Sequence, residues 1–374
     1  MKTLKEILYF FTPREKKRAG LLLILIIIMA FVDVIGVASI LPFMSVITNP
    51  SIIETNFLLK NLFQISSVFE IKTIEEFTFF LGVLVFLILI FSLIFKAIVI
   101  SMQLRFIKMQ GHNIGKRLLE GYLNQPYNWF LNQNSAELSK TLISETGIII
   151  EQGLTPISNL ITRGVISIFL IILLFFVDIK LTLMVTFAIG GFYLIIFFFL
   201  KNFLDRIGKE LLIANGLRFK SLSEAFGASK EVKLGRLEKI FINKFTESSS
   251  IFTKKQIQSA IIGMLPRYFI EAISFGGMLF IILYMISKSG LFVNSIPLIS
   301  IYAFAGYRRI PSLQQIYHAS TTLKFSNATI HKTFNDFQNL KLNNYVQNEN
   351  KLSFDKKITL NQINFDYPNS SRNA

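Results

Sequence analysis

The sequence predicts an all-α membrane protein with six transmembrane helices and long helical extensions on one side of the bilayer. Three observations lead there. Of the 374 residues 52% are hydrophobic, with 39 Phe, and the mean hydropathy is +0.52. The apolar residues gather into six runs, each near the roughly 20 helical residues that cross a hydrocarbon core of about 30 Å. The connections between these runs alternate between long, basic segments and short ones with few Lys or Arg. A composition this apolar is outside the range of ordinary water-soluble domains.

In chain order, residues 1–18 place Leu4, Ile7, Leu8 and Phe11 on one side of a short basic segment, the pattern of an interfacial helix. The apolar run 19–47 follows. It is much longer than the roughly 7–15-residue apolar region of a signal peptide, so it is a first span. The other spans are 77–100, 157–177, 181–204, 259–286 and 292–317. The third is diluted by Arg163 and the polar stretch "TPISN", but it pairs with the fourth across the short turn "DIK". Connections after the second and fourth spans are long and read mostly as helix. About twenty residues out and twenty back carry each roughly 30 Å from the membrane. The domain organisation is thus an interfacial helix at 1–18, a six-helix membrane domain at 19–340, a linker at 341–357 and a strand with alternating apolar residues at 358–374.

Charge supplies the orientation. The formal net charge is +16, and 30 of the 39 Lys and Arg lie in segments 1–18, 101–156, 201–258 and 318–374. The alternate connections hold only Lys60, Lys72, Lys180 and Lys288. Basic residues collect on cytoplasmic loops, which predicts a multi-pass protein of the inner (cytoplasmic) membrane with both termini in the cytoplasm and membrane lipid around it. The basic balance then calls for no nucleic-acid partner. The absence of Cys excludes disulfides, and His112, His318 and His331 are too widely spaced to suggest a metal site.

Charges within the spans are the candidates for an intramembrane site, because each costs several kcal/mol in hydrocarbon unless paired or hydrated. Five are basic, Lys96, Arg163, Arg267, Arg308 and Arg309, and two are acidic, Asp33 and Glu271. Arg267 and Glu271 are four residues apart, which favours a local ion pair. Asp33 is expected to find a basic neighbour. Lys96 can snorkel to the interface and Arg163 can be structural. Arg308 and Arg309 sit beside the helix-bending Pro311. They point about 100° apart, so only one of them can face a given cavity. The surplus of cations calls for an anion or water.

Several stretches resemble the membrane half of an ATP-binding-cassette exporter. "YLNQPYNWFLNQNSAEL" (122–138) resembles the first coupling-helix region and "SEAFGASKEVKLGRLEKIF" (223–241) the second. "FVDVIGVASILPFM", "PRYFIEA" and "GYRRIPSLQQIY" look closest to flippases of lipid-linked oligosaccharides. The resemblance implies that Tyr127, Trp129 and Phe130, and Gly227, Lys230 and Glu231, dock on a nucleotide-binding domain. It also implies a homodimer around one translocation cavity, with Asp33, Arg163, Arg267, Glu271, Arg308 and Arg309 as candidate lining and with spans four and five crossing to the partner. The strand "ITLNQINFDYP" resembles the opening of that nucleotide-binding domain, with Tyr367 at the adenine-stacking position. No G-x-x-x-x-G-K-[ST] loop occurs in these 374 residues, so ATP with Mg is expected to act only through a cassette lost in cis or supplied in trans. The expectation is a truncated or interrupted transporter, or a dedicated permease subunit, with no catalysis by this chain alone. The implied function is ATP-coupled flipping or export of a lipid-linked glycan. The alternatives are a peptide or drug exporter, whose cavity would be aromatic and apolar, and a non-transporting scaffold or inactive fragment.

Overall fold

A computed structural model of the chain describes residues 2–66, 71, 73–131, 133–177, 179–289, 296–340, 357, 359 and 361, and no strand occurs among them. Apart from residues 359 and 361, the expected strand at 358–374, with Tyr367, lies outside the described residues.

Helix α1 (Lys2–Tyr9) is short because Thr12 starts a new helix, α2 (Pro13–Ala38). The Thr12 N–H donates to Glu15 Oε2 at 2.7 Å and the Glu15 N–H donates to Thr12 Oγ1 at 3.3 Å. This reciprocal cap satisfies two end groups, and Pro13 occupies the first helical position, where its missing N–H costs nothing. The single interfacial helix expected over 1–18 is therefore corrected to two helices, with the first span's helix starting at Pro13. Part of its apolar face is covered by protein. Ile7, Phe10 and Phe11 are buried against Ile114, Leu118, Ile149 and Ile330, and only Leu4 and Leu8 of the apolar set stay exposed. Burial removes Phe10 from solvent entirely, worth about 2 kcal/mol, and a protein groove achieves that without insertion into lipid.

The first span is interrupted. α2 ends at Ala38 and α3 (Ile40–Thr48) follows Ser39. Pro42 has no N–H for the Ala38 carbonyl, which breaks the ladder there. After it, α4 (Ile52–Thr55) and α5 (Phe57–Ser66) fold the next connection onto the ends of α3 and α6 through Val46, Ile53, Leu59, Phe77 and Leu81. Helix α6 (Ile74–Leu123) opens with a second reciprocal cap between Thr73 and Glu76. Residues 101–123 extend it beyond the predicted span by about 35 Å at 1.5 Å per residue. The chain turns through α7 (Tyr127–Leu131) and returns through α8 (Ser135–Lys140), a π-helical segment at Thr141–Glu145, α9 (Thr146–Ile148), a second π-helical segment at Ile149–Leu154 and α10 (Thr155–Val177). A second hairpin has the same form: α11 (Ile179–Gly227), a short α12 (Ser229–Leu234) at the tip, and α13 (Glu238–Ser289). Helix α14 (Ile296–Asn339) completes the order.

Helix α2 packs on α6 and α10, α10 packs on α14, and α14 packs on α11, which also carries α13. One crossing is close enough to need glycine: a Cβ at Gly208 would meet the Phe325 backbone carbonyl oxygen at 1.9 Å, whereas one at Gly263 would meet the His318 ring, a side chain that can shift, at 2.9 Å. Among the described residues, Pro13–Thr48, Ile74–Leu123 and Ser135–Phe176 are long and apolar enough to cross a membrane. The predicted spans 181–204 and 259–286 fall within α11 and α13, and residues 296–317 of the last one fall within α14.

The α2 cap titrates. Burial alone would raise the Glu15 carboxyl, but hydrogen bonds from Thr12 and Asn113, with Arg117 nearby, hold it below the ordinary glutamate value. A lowered acid stabilises the fold above its unfolded pKa, and that contribution disappears as pH falls through the folded value. Glu15→Gln should cost about 1–2 kcal/mol at pH 7. Thermal unfolding of both proteins from pH 7 to pH 3 checks this, since the gap should shrink below about pH 4.5.

Candidate functional site

The two hairpin tips are built alike, each by a short helix lying between two long arms. At the first tip Pro126 precedes α7, where Trp129 stacks on Tyr122 with ring centroids 5.8 Å apart and meets Phe130 edge-on at 5.1 Å. Tyr122 is buried, and Trp129 joins the same apolar cluster as Ile7, Phe10 and Leu340. The aromatic trio is thus split. Trp129 and Phe130 are partly buried, while Tyr127 is 78% exposed, a large apolar surface far from the spans that needs a partner.

At the second tip, α12 ends in a Schellman turn. The Leu237 N–H reaches the Val232 carbonyl at 2.9 Å and the Arg236 N–H reaches Lys233 at 3.4 Å. Arg236 takes a left-handed φ of 53° to close it, a position where glycine is usual. Gly227 ends α11 with open space around it, and Lys230 and Glu231 are exposed on α12. The residues the sequence reading missed here are Phe226 and Leu234, each 76% exposed. Their signal was available: two large apolar side chains flanking a charged segment outside any span.

Behind the first tip lies a buried ionic network that no sequence pattern announced. Glu145 is fully buried and Lys140 is 4% exposed. Lys140 Nζ lies 3.2 Å from Glu145 Oε1, and Lys332 Nζ lies 2.7 Å from Glu137 and 3.7 Å from Glu145. The Thr141 and Thr333 hydroxyls donate to Glu145 Oε2 at 3.1 and 3.4 Å. Lys140 and Glu145 are five residues apart, which an α-helix would place on different faces. The π-helical turn between them brings them together. The network ties α8 to α14. The hydrogen bond from Lys332 holds the Glu137 carboxyl below its usual range, while burial pushes Asp336 up. Burial, with the charges of Asp336 and Glu145, pushes the Tyr122 phenol up to about 12.

Within the spans, the structure brings together residues from distant parts of the chain. Asp33 is 1% exposed and lies 3.5 Å from Lys96 Nζ, and it accepts a hydrogen bond from Ser92 at 3.2 Å. Lys96 is therefore an ion-pair partner of Asp33, a correction to the snorkelling expectation, because the buried carboxylate is the better-placed counter-charge. Arg163 lies partly buried on α10. It shares with Lys96 a cavity of about 60 Å³ between α2, α6 and α10. Arg267 and Glu271 form the expected local pair on α13 at 2.6 Å. Arg308 and Arg309 lie on α14, and their side chains fall outside the described set. The candidates thus separate into an Asp33, Lys96 and Arg163 group and a separate Arg267 and Glu271 pair. Among the described residues no group of His, Cys, Asp or Glu has the arrangement of a metal site.

Residues 19–304 match the family model of the ABC transporter transmembrane region. The match runs from the first predicted span through both hairpins and into α14.

Proposed function

This chain belongs to the ABC transporter transmembrane-region family and forms the membrane half of an ABC exporter; from this we propose that its cargo is a lipid-linked oligosaccharide or a related glycan-lipid. The observation that carries the proposal is a sequence count: the predicted spans hold five basic residues, Lys96, Arg163, Arg267, Arg308 and Arg309, and two acidic ones, Asp33 and Glu271. A guanidinium binds phosphate through two parallel hydrogen bonds, and the linkage in such a lipid is a pyrophosphate.

In this reading the protein works as a homodimer of six-span subunits with cytoplasmic termini. A nucleotide-binding domain, in cis or in trans, binds ATP with Mg and closes on the exposed tip residues Tyr127, Phe226 and Leu234. The long arms then act as levers, because a continuous helix transmits a displacement at its tip to the span it continues into.

The test is transport. The protein is reconstituted with a nucleotide-binding domain, and ATP-dependent translocation of a fluorescent lipid-linked oligosaccharide is followed in Arg308→Ala and Arg309→Ala. One substitution should abolish flipping while basal ATPase persists, and the other should mainly lower the folded yield. If both leave flipping unchanged, the anionic cargo is wrong and a peptide or drug exporter takes its place.

A further inference from the structure

We propose that one face of α2, from Arg14 to Ile28, binds an anionic phospholipid of the leaflet on the hairpin side, with the lipid phosphate at Arg14, Lys17 and Arg18. Residues 1–18 hold two acids, Glu6 and Glu15. Both are buried and engaged by the protein. Glu6 lies 2.9 Å from His331 Nδ1, and Glu15 caps α2 and accepts from Asn113 at 2.8 Å. The cations of the same segment point outward: Lys5, Arg14, Lys16, Lys17 and Arg18 are exposed, and among the described residues none of these side chains has an ion-pair or hydrogen-bond partner.

Exposed cations on the long arms are arranged differently. Lys116 pairs with Glu120, Arg206 with Glu210 and Lys220 with Glu224. At the α1–α2 corner both local acids are turned inward, so the outer surface is purely positive and favours an anionic partner. Arg14, Lys17, Arg18, Leu21, Ile24 and Ile28 recur at the spacing that keeps them on one side of a helix. All six are exposed, whereas Ile26, Met29 and Asp33 belong to the buried side of α2.

The position of that face gives the occupant. The change from cation to hydrocarbon falls at Ala19, where the first apolar run begins. Glu15 bonds to Asn113 in the part of α6 beyond the predicted span 77–100, so the corner lies on the hairpin side at headgroup depth. From Leu21 to Ile28 the helix rises about 10 Å, within the roughly 15 Å of hydrocarbon in one leaflet. A phospholipid lying along α2 meets both parts: its phosphate takes charge-assisted hydrogen bonds from the cations, and its chains cover Leu21, Ile24 and Ile28. The apolar continuation favours a lipid over a free anion or an acidic protein segment. The inference rests on the membrane assignment and goes beyond the glycan cargo.

The experiment is native mass spectrometry of the purified full chain with added phosphatidylglycerol or phosphatidylcholine. No ATP or transport is involved, so failure here leaves the cargo proposal standing. Phosphatidylglycerol should bind more tightly than phosphatidylcholine. Lys17→Gln with Arg18→Gln should weaken phosphatidylglycerol binding about tenfold or more, since each basic residue beside an anionic headgroup is worth about fivefold. Lys17→Arg with Arg18→Lys keeps the charge and should keep the binding, which separates lost charge from lost folding. Lys239→Gln with Lys254→Gln removes the same charge from exposed positions on α13 and should leave binding unchanged. Equal weakening in the two glutamine pairs would reduce the effect to net charge and overturn the proposal. Equal binding of the two lipids would do the same, as would displacement of phosphatidylglycerol by an equimolar amount of inorganic phosphate.

Discussion

Gly208→Ala should largely abolish the folded protein. The new Cβ would lie 1.9 Å from the Phe325 carbonyl oxygen and 3.0 Å from its carbon. These are backbone atoms of α14, so no rotamer change relieves the clash and the two helices must separate. Separation opens the cluster of Leu204, Ile207, Leu211 and Phe325 and pulls on the ion pair between Lys324 and Asp205, now 3.0 Å. A cost of about 3 kcal/mol or more follows, at the upper end of overpacking effects and a large share of a typical fold's stability. Gly227→Ala is the internal control. That helical glycine has nothing within 4 Å of a built Cβ, and alanine should be neutral or stabilising by up to about 1 kcal/mol. Thermal unfolding in detergent decides it. A Gly208→Ala protein as stable as Gly227→Ala would show that α11 and α14 do not cross at this point.

Removing the charge of Glu145 should have the next largest effect. Glu145 is the buried anion that neutralises Lys140 and helps to hold Lys332. Glu145→Gln leaves a nearly fully buried ammonium without its nearest counter-charge, and breaking such a pair from one side costs about 3–5 kcal/mol. The attraction itself contributes less than that, since two charges also had to be desolvated. Lys140→Met in the Glu145→Gln background should therefore recover a good part of the loss, a coupling that a double-mutant cycle measures. Trp129, the single tryptophan, stacks on Tyr122 beside this network, so its fluorescence reports unfolding at the first tip. A Glu145→Gln midpoint within about 0.5 kcal/mol of the parent would mean that the network does not hold the hairpin.

Much of the architecture was legible in the residues. Hydropathy is a sum over a local window, so the long apolar helices were visible without knowing their neighbours, and a run of helix formers between two spans can only lead out and back. The Arg267 and Glu271 pair was legible for the same reason, because four residues along a helix is a local distance. Tertiary structure decided what depends on helix rotation and crossing. Asp33 meets Lys96 from another helix, 63 positions away in the chain, and only the angle at which α2 lies on α6 selects that partner. Ile7 and Phe11 are as apolar as lipid-facing residues, and hydropathy does not distinguish a lipid tail from the groove beside Ile114 and Ile330 that buries them. Lys140 reaches Glu145 because the backbone there has widened into a π-helical turn. The sequence by itself thus determined which segments are apolar enough to enter a bilayer and that long helical arms extend from them, since those properties are additive along the chain. The tertiary structure alone decided which charges are paired, which aromatics are buried and where glycine is required, since those depend on the contact of two surfaces.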